Sequence, residues 1–137
     1  MSGAIPPLGL PRRSVRPVDE RFPLVVYDNT KTGLTAATST TELFRAEPTR
    51  IYRVTQILWV TTGGDAINLT PAIGYTDRVG ATTGAPFAAF SLAAAARQFG
   101  SLVFENVSGA AITIATSLSG ARAVSVWSLR TIVEQLS

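Results

Sequence analysis

From Leu24 onward the chain alternates apolar and polar positions. In Thr49 to Thr62, TRIYRVTQILWVTT, one set of alternate positions holds Ile51, Arg53, Thr55, Ile57 and Trp59, and the other holds Tyr52, Val54, Gln56, Leu58 and Val60. A period of two marks a strand, and both sets turn apolar in the second half, so this strand is expected to be covered on both sides there. Gly63-Gly64-Asp65 reads as a turn and Ala66 to Tyr75 as a strand running back, with Pro71 at an edge or bulge. The same reading recurs downstream, with a strand over Leu102 to Asn106, a turn at Val107-Ser108-Gly109 and a strand over Ala111 to Leu118. Ser119-Gly120 then leads into a last strand, where Ala123, Ser125, Trp127 and Leu129 alternate with Val124, Val126, Ser128 and Ile132. Upstream, Leu24 to Tyr27 reads as a short strand closed by the Asp28-Asn29 turn signal, followed by a Thr- and Ala-rich connection from Thr30 to Thr41.

The two hairpins look related. WVTTGGDAINLT, residues 59–70, aligns without a gap to FENVSGAAITIA, residues 104–115, matching Trp59 to Phe104, Gly64 to Gly109 and Ala66-Ile67 to Ala111-Ile112. Either they share only what any two hairpins share, or they are related units that bury their apolar faces in one core, with Trp59 and Phe104 as neighbours or counterparts. The segment between them, PFAAFSLAAAARQFG, also reads two ways. Pro86, the alanines and Gly100 suit a helix with Phe87, Phe90 and Ala94 inward, whereas the surrounding spacing suits a strand over 86–99. Seven or eight strands between Gly, Ser and Asn turns define an all-β class over residues 24–137, an antiparallel β-sandwich of jelly-roll-like form.

Residues 1–23 break the pattern. They hold Pro6, Pro7, Pro11, Pro17 and Pro23 with Arg12, Arg13, Arg16 and Arg21, a mixture that suits neither a helix interior nor a central strand. An extended N-terminal arm is expected. It is either a solvated tail or a partner-binding clamp, the latter with Ile5, Leu8, Leu10 and Val15 as apolar anchors and Arg12, Arg13, Arg16 and Arg21 as hydrogen-bonding forks.

Prolines interrupt any apolar core that a signal peptide would need at this end, so no secretion signal is read and a soluble, non-secreted product is expected. The longest uncharged run, Val79 to Ala96, contains Gly80, Thr82, Thr83, Gly84, Pro86 and Ser91 and does not read as a membrane span.

Composition sharpens this picture. The 137 residues fit one domain, and 46% are apolar while only 15% are charged, against about 25% in ordinary soluble domains. A surface so poor in charge is expected to be covered by copies of the chain or by partners. Neither Cys nor His is present, which excludes thiol and imidazole catalysis, disulfides and the usual zinc ligand sets. The net charge of +3 is too small to imply nucleic acid.

Chemistry is hard to find in what remains. Asp65 and Asp77 fall in or near turns and Glu42 and Glu47 flank a strand, so all four read as solvated residues and not as paired catalytic carboxylates. The hydroxyls lack a base, and Gly63-Gly64-Asp65 lacks the Lys and helix of a phosphate loop. No enzyme, cofactor or metal is expected. For a saccharide, Tyr27, Tyr75 and Asp77 are the candidates.

A resemblance adds a role. LVFENVSGAAITIATSL, residues 102–118, resembles small β-sandwich virion structural proteins of tailed bacteriophages and related particles, among them capsid decoration, tail and baseplate proteins. TELFRAEPTRIYRVTQILWVTT, residues 41–62, is similar to their lead-in strands. The resemblance spans about residues 40 to 136 and leaves the arm outside. It implies a protein of the virion, commonly a homotrimer, whose partners are itself and the major capsid protein or other virion proteins. A capsid decoration (cement) protein that stabilises the shell through its β body and arm is expected. The alternative is a tail fibre, spike or baseplate module that binds a host glycan or another tail protein.

Overall fold

The computed structural model describes residues 22–107 and 109–137. Its strands are β1 (Leu24–Leu34), β2 (Thr41–Arg45), β3 (Arg50–Thr62), β4 (Asn68–Thr76), β5 (Ala81–Gly84), β6 (Phe90–Ser91), β7 (Ala96–Asn106), β8 (Ala111–Leu118) and β9 (Val126–Gln135). They pair antiparallel in two sheets. The first runs β1-β9-β3-β7 and the second β2-β8-β4-β5, with β6 also paired to β4. Apart from β4 to β5 and β5 to β6, every connection passes from one sheet to the other. Strands adjacent in sequence therefore face each other across the core, and the expected jelly-roll-like sandwich is what the chain forms.

The alternation in β3 decides where the core lies. Its even positions, Tyr52, Val54, Gln56, Leu58 and Val60, are buried, and β9 meets them with Trp127, Leu129 and Val133. From the second sheet come Leu69 and Ile73 of β4 and Ile112 and Ile114 of β8. At one end, four aromatic rings bridge the sheets: Phe44 and Phe104 tilt against Tyr52 at centroid distances of 5.9 and 6.3 Å, and Tyr75 stacks on Phe104 at 4.1 Å. Such pairs stabilise beyond the area they bury. Gln56 is fully buried, and its Nε2 donates to the Thr131 hydroxyl at 3.2 Å.

The two related units are not hairpins. β3 and β7 lie in the first sheet while their followers β4 and β8 lie in the second, so each unit crosses the core; matched strands then pair, β3 with β7 and β4 with β8. The shared core is real, but the ungapped alignment is not. The β3–β4 connection, residues 63–67, is one residue longer than the β7–β8 connection, residues 107–110, and a one-residue slip exchanges the faces of a strand. Trp59 accordingly faces outward and is half-buried, whereas Phe104 faces the core.

Two further readings are corrected. β1 runs straight through Asp28-Asn29, because β9 pairs with it on both sides of that dipeptide and Arg130 takes the Asp28 carboxylate. Residues 86–99 contain no helix. Phe87 is buried and Phe90 half-buried as expected, but Ala94 is exposed in a turn between β6 and β7. The small residues there serve close approach: a Cβ at Gly63 would collide with the Ala94 backbone, and one at Gly100 with the Pro86 carbonyl. The alanine run is thus a turn folded onto the β3–β4 connection.

The two tryptophans should respond differently to truncation. Trp127→Ala is expected to cost about 3–5 kcal/mol, because it empties a fully buried site, whereas Trp59→Ala on the outer face should cost about 1 kcal/mol. Urea unfolding of both variants checks this, and equal losses would contradict the assignment of faces.

Candidate functional site

The odd positions of β3 point away from the core and meet outward residues of both neighbours. Across β7 the register sets Ile51 opposite Glu105, Arg53 opposite Val103, Thr55 opposite Ser101, Ile57 opposite Phe99 and Trp59 opposite Arg97. Across β9 it sets Arg53 opposite Glu134, Thr55 opposite Ile132 and Ile57 opposite Arg130. An apolar surface results. Phe99 is 72% exposed, Val103 56% and Ile51 39%, with Ile57, Trp59 and Ile132 half-buried among them. Exposed apolar groups grouped on one sheet face mark a surface that something covers.

The charges on and beside this face are held in pairs, except Arg97, which is exposed and has no ion-pair partner among the described residues. Arg53 Nε donates to Glu134 Oε1 at 2.9 Å, and Arg130 donates to both carboxylate oxygens of Asp28 at 3.0 and 2.7 Å. Arg78 does the same with Glu105 at 2.8 and 3.0 Å. The Arg130 hydrogen bond lowers the Asp28 pKa, and hydrogen bonds to their carboxylates raise those of Arg53, Arg78 and Arg130. These forks neutralise charge locally and leave the apolar groups as the face's main feature.

The outer face of the second sheet is different. Thr70, Ala72, Gly74 and Thr76 on β4 lie beside Thr113, Ala115 and Ser117 on β8. It is small-chained and without charge on these two strands.

Asp65 departs from its reading as a solvated turn residue. It is buried, and its carboxylate accepts the backbone N–H groups of Ala123 at 3.0 Å, Val124 at 3.1 Å and Ser125 at 2.7 Å. The β3–β4 connection is thereby tied to the β8–β9 connection. Contact with the Ser125 side chain, followed by these amides, lowers its pKa to about 2. A carboxylate directed at three successive amides is part of the scaffold.

Other sequence candidates scatter. Ile5, Leu8, Leu10, Arg12, Arg13, Val15, Arg16 and Arg21 lie outside the described residues. Tyr27 lines a narrow cleft between β1 and β2 with Leu34, Leu43 and Leu129. Tyr75 and Asp77 do come together, in a shallow depression with Arg78, Val79 and Glu105 at the other flank. There Asp77 caps its own turn, accepting the N–H groups of Val79 and Gly80 at 2.8 and 3.2 Å. Glu42 pairs with Arg45 and Glu47 with Arg50, both at 3.4 Å and exposed. Among the described residues no cluster of three metal-ligating side chains occurs, and no helix is long and apolar enough to cross a membrane.

No protein-family model and no curated protein matches the sequence. Solved structures do match. PRD1 vertex protein P5 is similar at a TM-score of 0.51 and 16% identity, over 85% of this chain and 100% of that one. The chain of the T13 IBDV viral particle is similar at a TM-score of 0.50 and 14% identity, over 82% of this chain and 32% of that one, so the chain spans about a third of it. The CBM22-1 xylan-binding domain of Paenibacillus barcinonensis Xyn10C is similar at a TM-score of 0.50 and 13% identity, over 79% and 71%. These likenesses establish the fold.

Asp65 yields a pH prediction. A carboxyl whose folded pKa of about 2 lies below its ordinary value of 3.8 stabilises the fold above that ordinary value, and its contribution is lost as pH falls through about 2. Asp65→Asn should therefore melt below the wild type at neutral pH, with the gap closing between pH 4 and 2. A gap that stays constant over that range would show that the carboxylate's charge is not what anchors the connection.

Proposed function

We propose that this chain is a non-enzymatic structural protein of a virus particle. More finely, it is a capsid decoration protein that assembles as a homo-oligomer and binds the shell through its β body and N-terminal arm. The uncovered apolar face of the first sheet carries the reading, because a domain that leaves Phe99 and Val103 in water is built to be covered by protein. The likeness to PRD1 vertex protein P5 over that protein's whole length, and to a domain of the T13 particle protein, supports it. The threefold symmetry that the sequence resemblance implies is part of the proposal.

The arm's part rests on sequence. Its prolines restrict the free chain, which limits the entropy lost on docking, and a segment of this length reaches roughly 70 Å. Ile5, Leu8, Leu10 and Val15 would anchor it while Arg12, Arg13, Arg16 and Arg21 pair with carboxylates or carbonyls of the shell.

A second reading, a tail-associated module that binds a glycan, is favoured by the depression at Tyr75 and Asp77 and by the likeness to a xylan-binding domain. Tyr75 already stacks on Phe104 and Arg78 already holds Glu105, so few groups there remain for a sugar.

Mass spectrometry of purified particles from the source should find the chain in many copies. Its absence would remove the proposal, and specific retention on a glycan array would favour the second reading. Deletion of residues 1–23 should leave the β body folded by circular dichroism and sharply reduce its occupancy on particles. Wild-type occupancy of the truncated protein would assign attachment to the β body alone.

A further inference from the structure

We infer that the outer face of the first sheet, the row formed by Ile51, Ile57, Trp59, Phe99, Val103 and Ile132, is the surface on which a second copy of this chain docks. This rests on the structural role proposed above and names the partner for that face.

Size is the first argument. Four strands about 4.8 Å apart and ten or more residues long, at about 3.3 Å each, cover roughly 700 Å² in plan. That is close to the roughly 800 Å² per partner buried in a stable interface. A copy seated on the whole of this face would cover an area of the size that stable interfaces bury.

Charge is the second. Arg53 is paired with Glu134, Arg130 with Asp28 and Arg78 with Glu105, so every carboxylate in this row is already held by an arginine of the same chain. Arg97, exposed beside Trp59, has no ion-pair partner among the described residues, so a strongly charged partner would find a single arginine to pair with. The chain's own arm is a poor occupant for the same reason, since Arg12, Arg13, Arg16 and Arg21 would meet carboxylates already engaged. A second copy brings a surface whose carboxylates are equally engaged and which adds only its own Arg97, so apposing the two creates little like-charge repulsion.

Position is the third. Phe99 and Val103 lie on β7, the edge strand, with Ile57 and Trp59 one strand further in. The two most exposed groups thus lie along one margin of the face, beside the half-buried Ile57 and Trp59. Large aromatic groups at such places carry much of the binding energy in interfaces.

The full chain tests this by sedimentation velocity across micromolar concentrations, with Phe99→Glu and Val103→Glu as interface variants and Thr70→Glu on the second sheet as control. Phe99 and Val103 point into water, so neither substitution touches the core. The wild type and Thr70→Glu should sediment as the same oligomer, and Phe99→Glu should weaken association roughly thirtyfold or more. Tryptophan fluorescence gives a second reading: Trp127 is buried in either state, so a red shift on dissociation reports Trp59. A monomeric wild type, or an oligomer that Phe99→Glu leaves unchanged, overturns the inference. So does a monomer whose β3 and β7 amides lose protection from hydrogen exchange once residues 1–23 are removed, because the arm is then the occupant. Particle binding measured in parallel separates the two claims. A monomer that decorates particles defeats this inference alone, and an oligomer built on this face but absent from particles defeats the structural role alone.

Discussion

The register of β3 is the constraint on which the rest depends. It is one of the two central strands of the first sheet and the longest strand in it, hydrogen-bonded along its length to β7 and to β9. Its pleat sends Tyr52, Val54, Gln56, Leu58 and Val60 to the core and Ile51, Arg53, Thr55, Ile57 and Trp59 outward. Slipping it by one residue would bring Arg53 inside and put Tyr52 and Leu58 in water, so burial fixes the pairing. Both neighbours inherit that choice. Phe104 and Leu102 face the core because Tyr52 and Val54 do, and Phe99 and Val103 face solvent because Ile57 and Arg53 do. Core and candidate surface are two consequences of one register.

How much of this was legible depends on whether the signal was local. The period of two in residues 49–62 and 111–118 is local, and it identified strands and an all-β class correctly. The apolar character of both faces of β3 also pointed to cover on both sides, although among the described residues no element packs on the outer side. Crossing from sheet to sheet was not legible. Gly63-Gly64-Asp65 carries the residues of a tight hairpin turn, and what makes it a crossover is the partners it meets 58 to 60 residues away, the Ala123, Val124 and Ser125 amides. The alanine run at 93–96 misled for a similar reason, because alanine suits both a helix and a turn pressed against the Gly63 backbone. The surface at Phe99 was missed because alternation names the two sides of a strand without saying which is inside.

Asp65 shows how the sandwich holds its crossovers. A connection between sheets about 10 Å apart leaves backbone N–H groups at the end of the core, where they need acceptors. One carboxylate supplies them for three successive residues, while the Ser125 hydroxyl donates to the Leu92 carbonyl and the Gly64 N–H does likewise at 3.1 Å. Three connections are thereby joined at one end: 63–67, 92–95 and 119–125. At the opposite end the rings of Phe44, Tyr52, Phe104 and Tyr75 join the sheets. The sheets are fastened by polar groups at one end and by aromatic packing at the other, which keeps the first sheet's outer face a stable platform.

That platform reconciles two demands that usually conflict. A free subunit must stay soluble, which asks for charge on its surface, and an assembled one must bury the same surface, which makes charge expensive. Arg53 and Glu134 are already partly desolvated by the sheet that carries them, with 36% and 19% of their side chains exposed. Covering them removes less water than covering free ions would, and each keeps its hydrogen-bonded partner afterwards. Paired arginines therefore keep the face wettable in the free chain and limit the penalty when it is covered. The low overall charge that first marked the sequence then has a physical reading: apart from the ion pairs, Arg97 and the Thr55–Ser101 contact, the row across β9, β3 and β7 is given to apolar groups, and those gain when another protein surface closes over them.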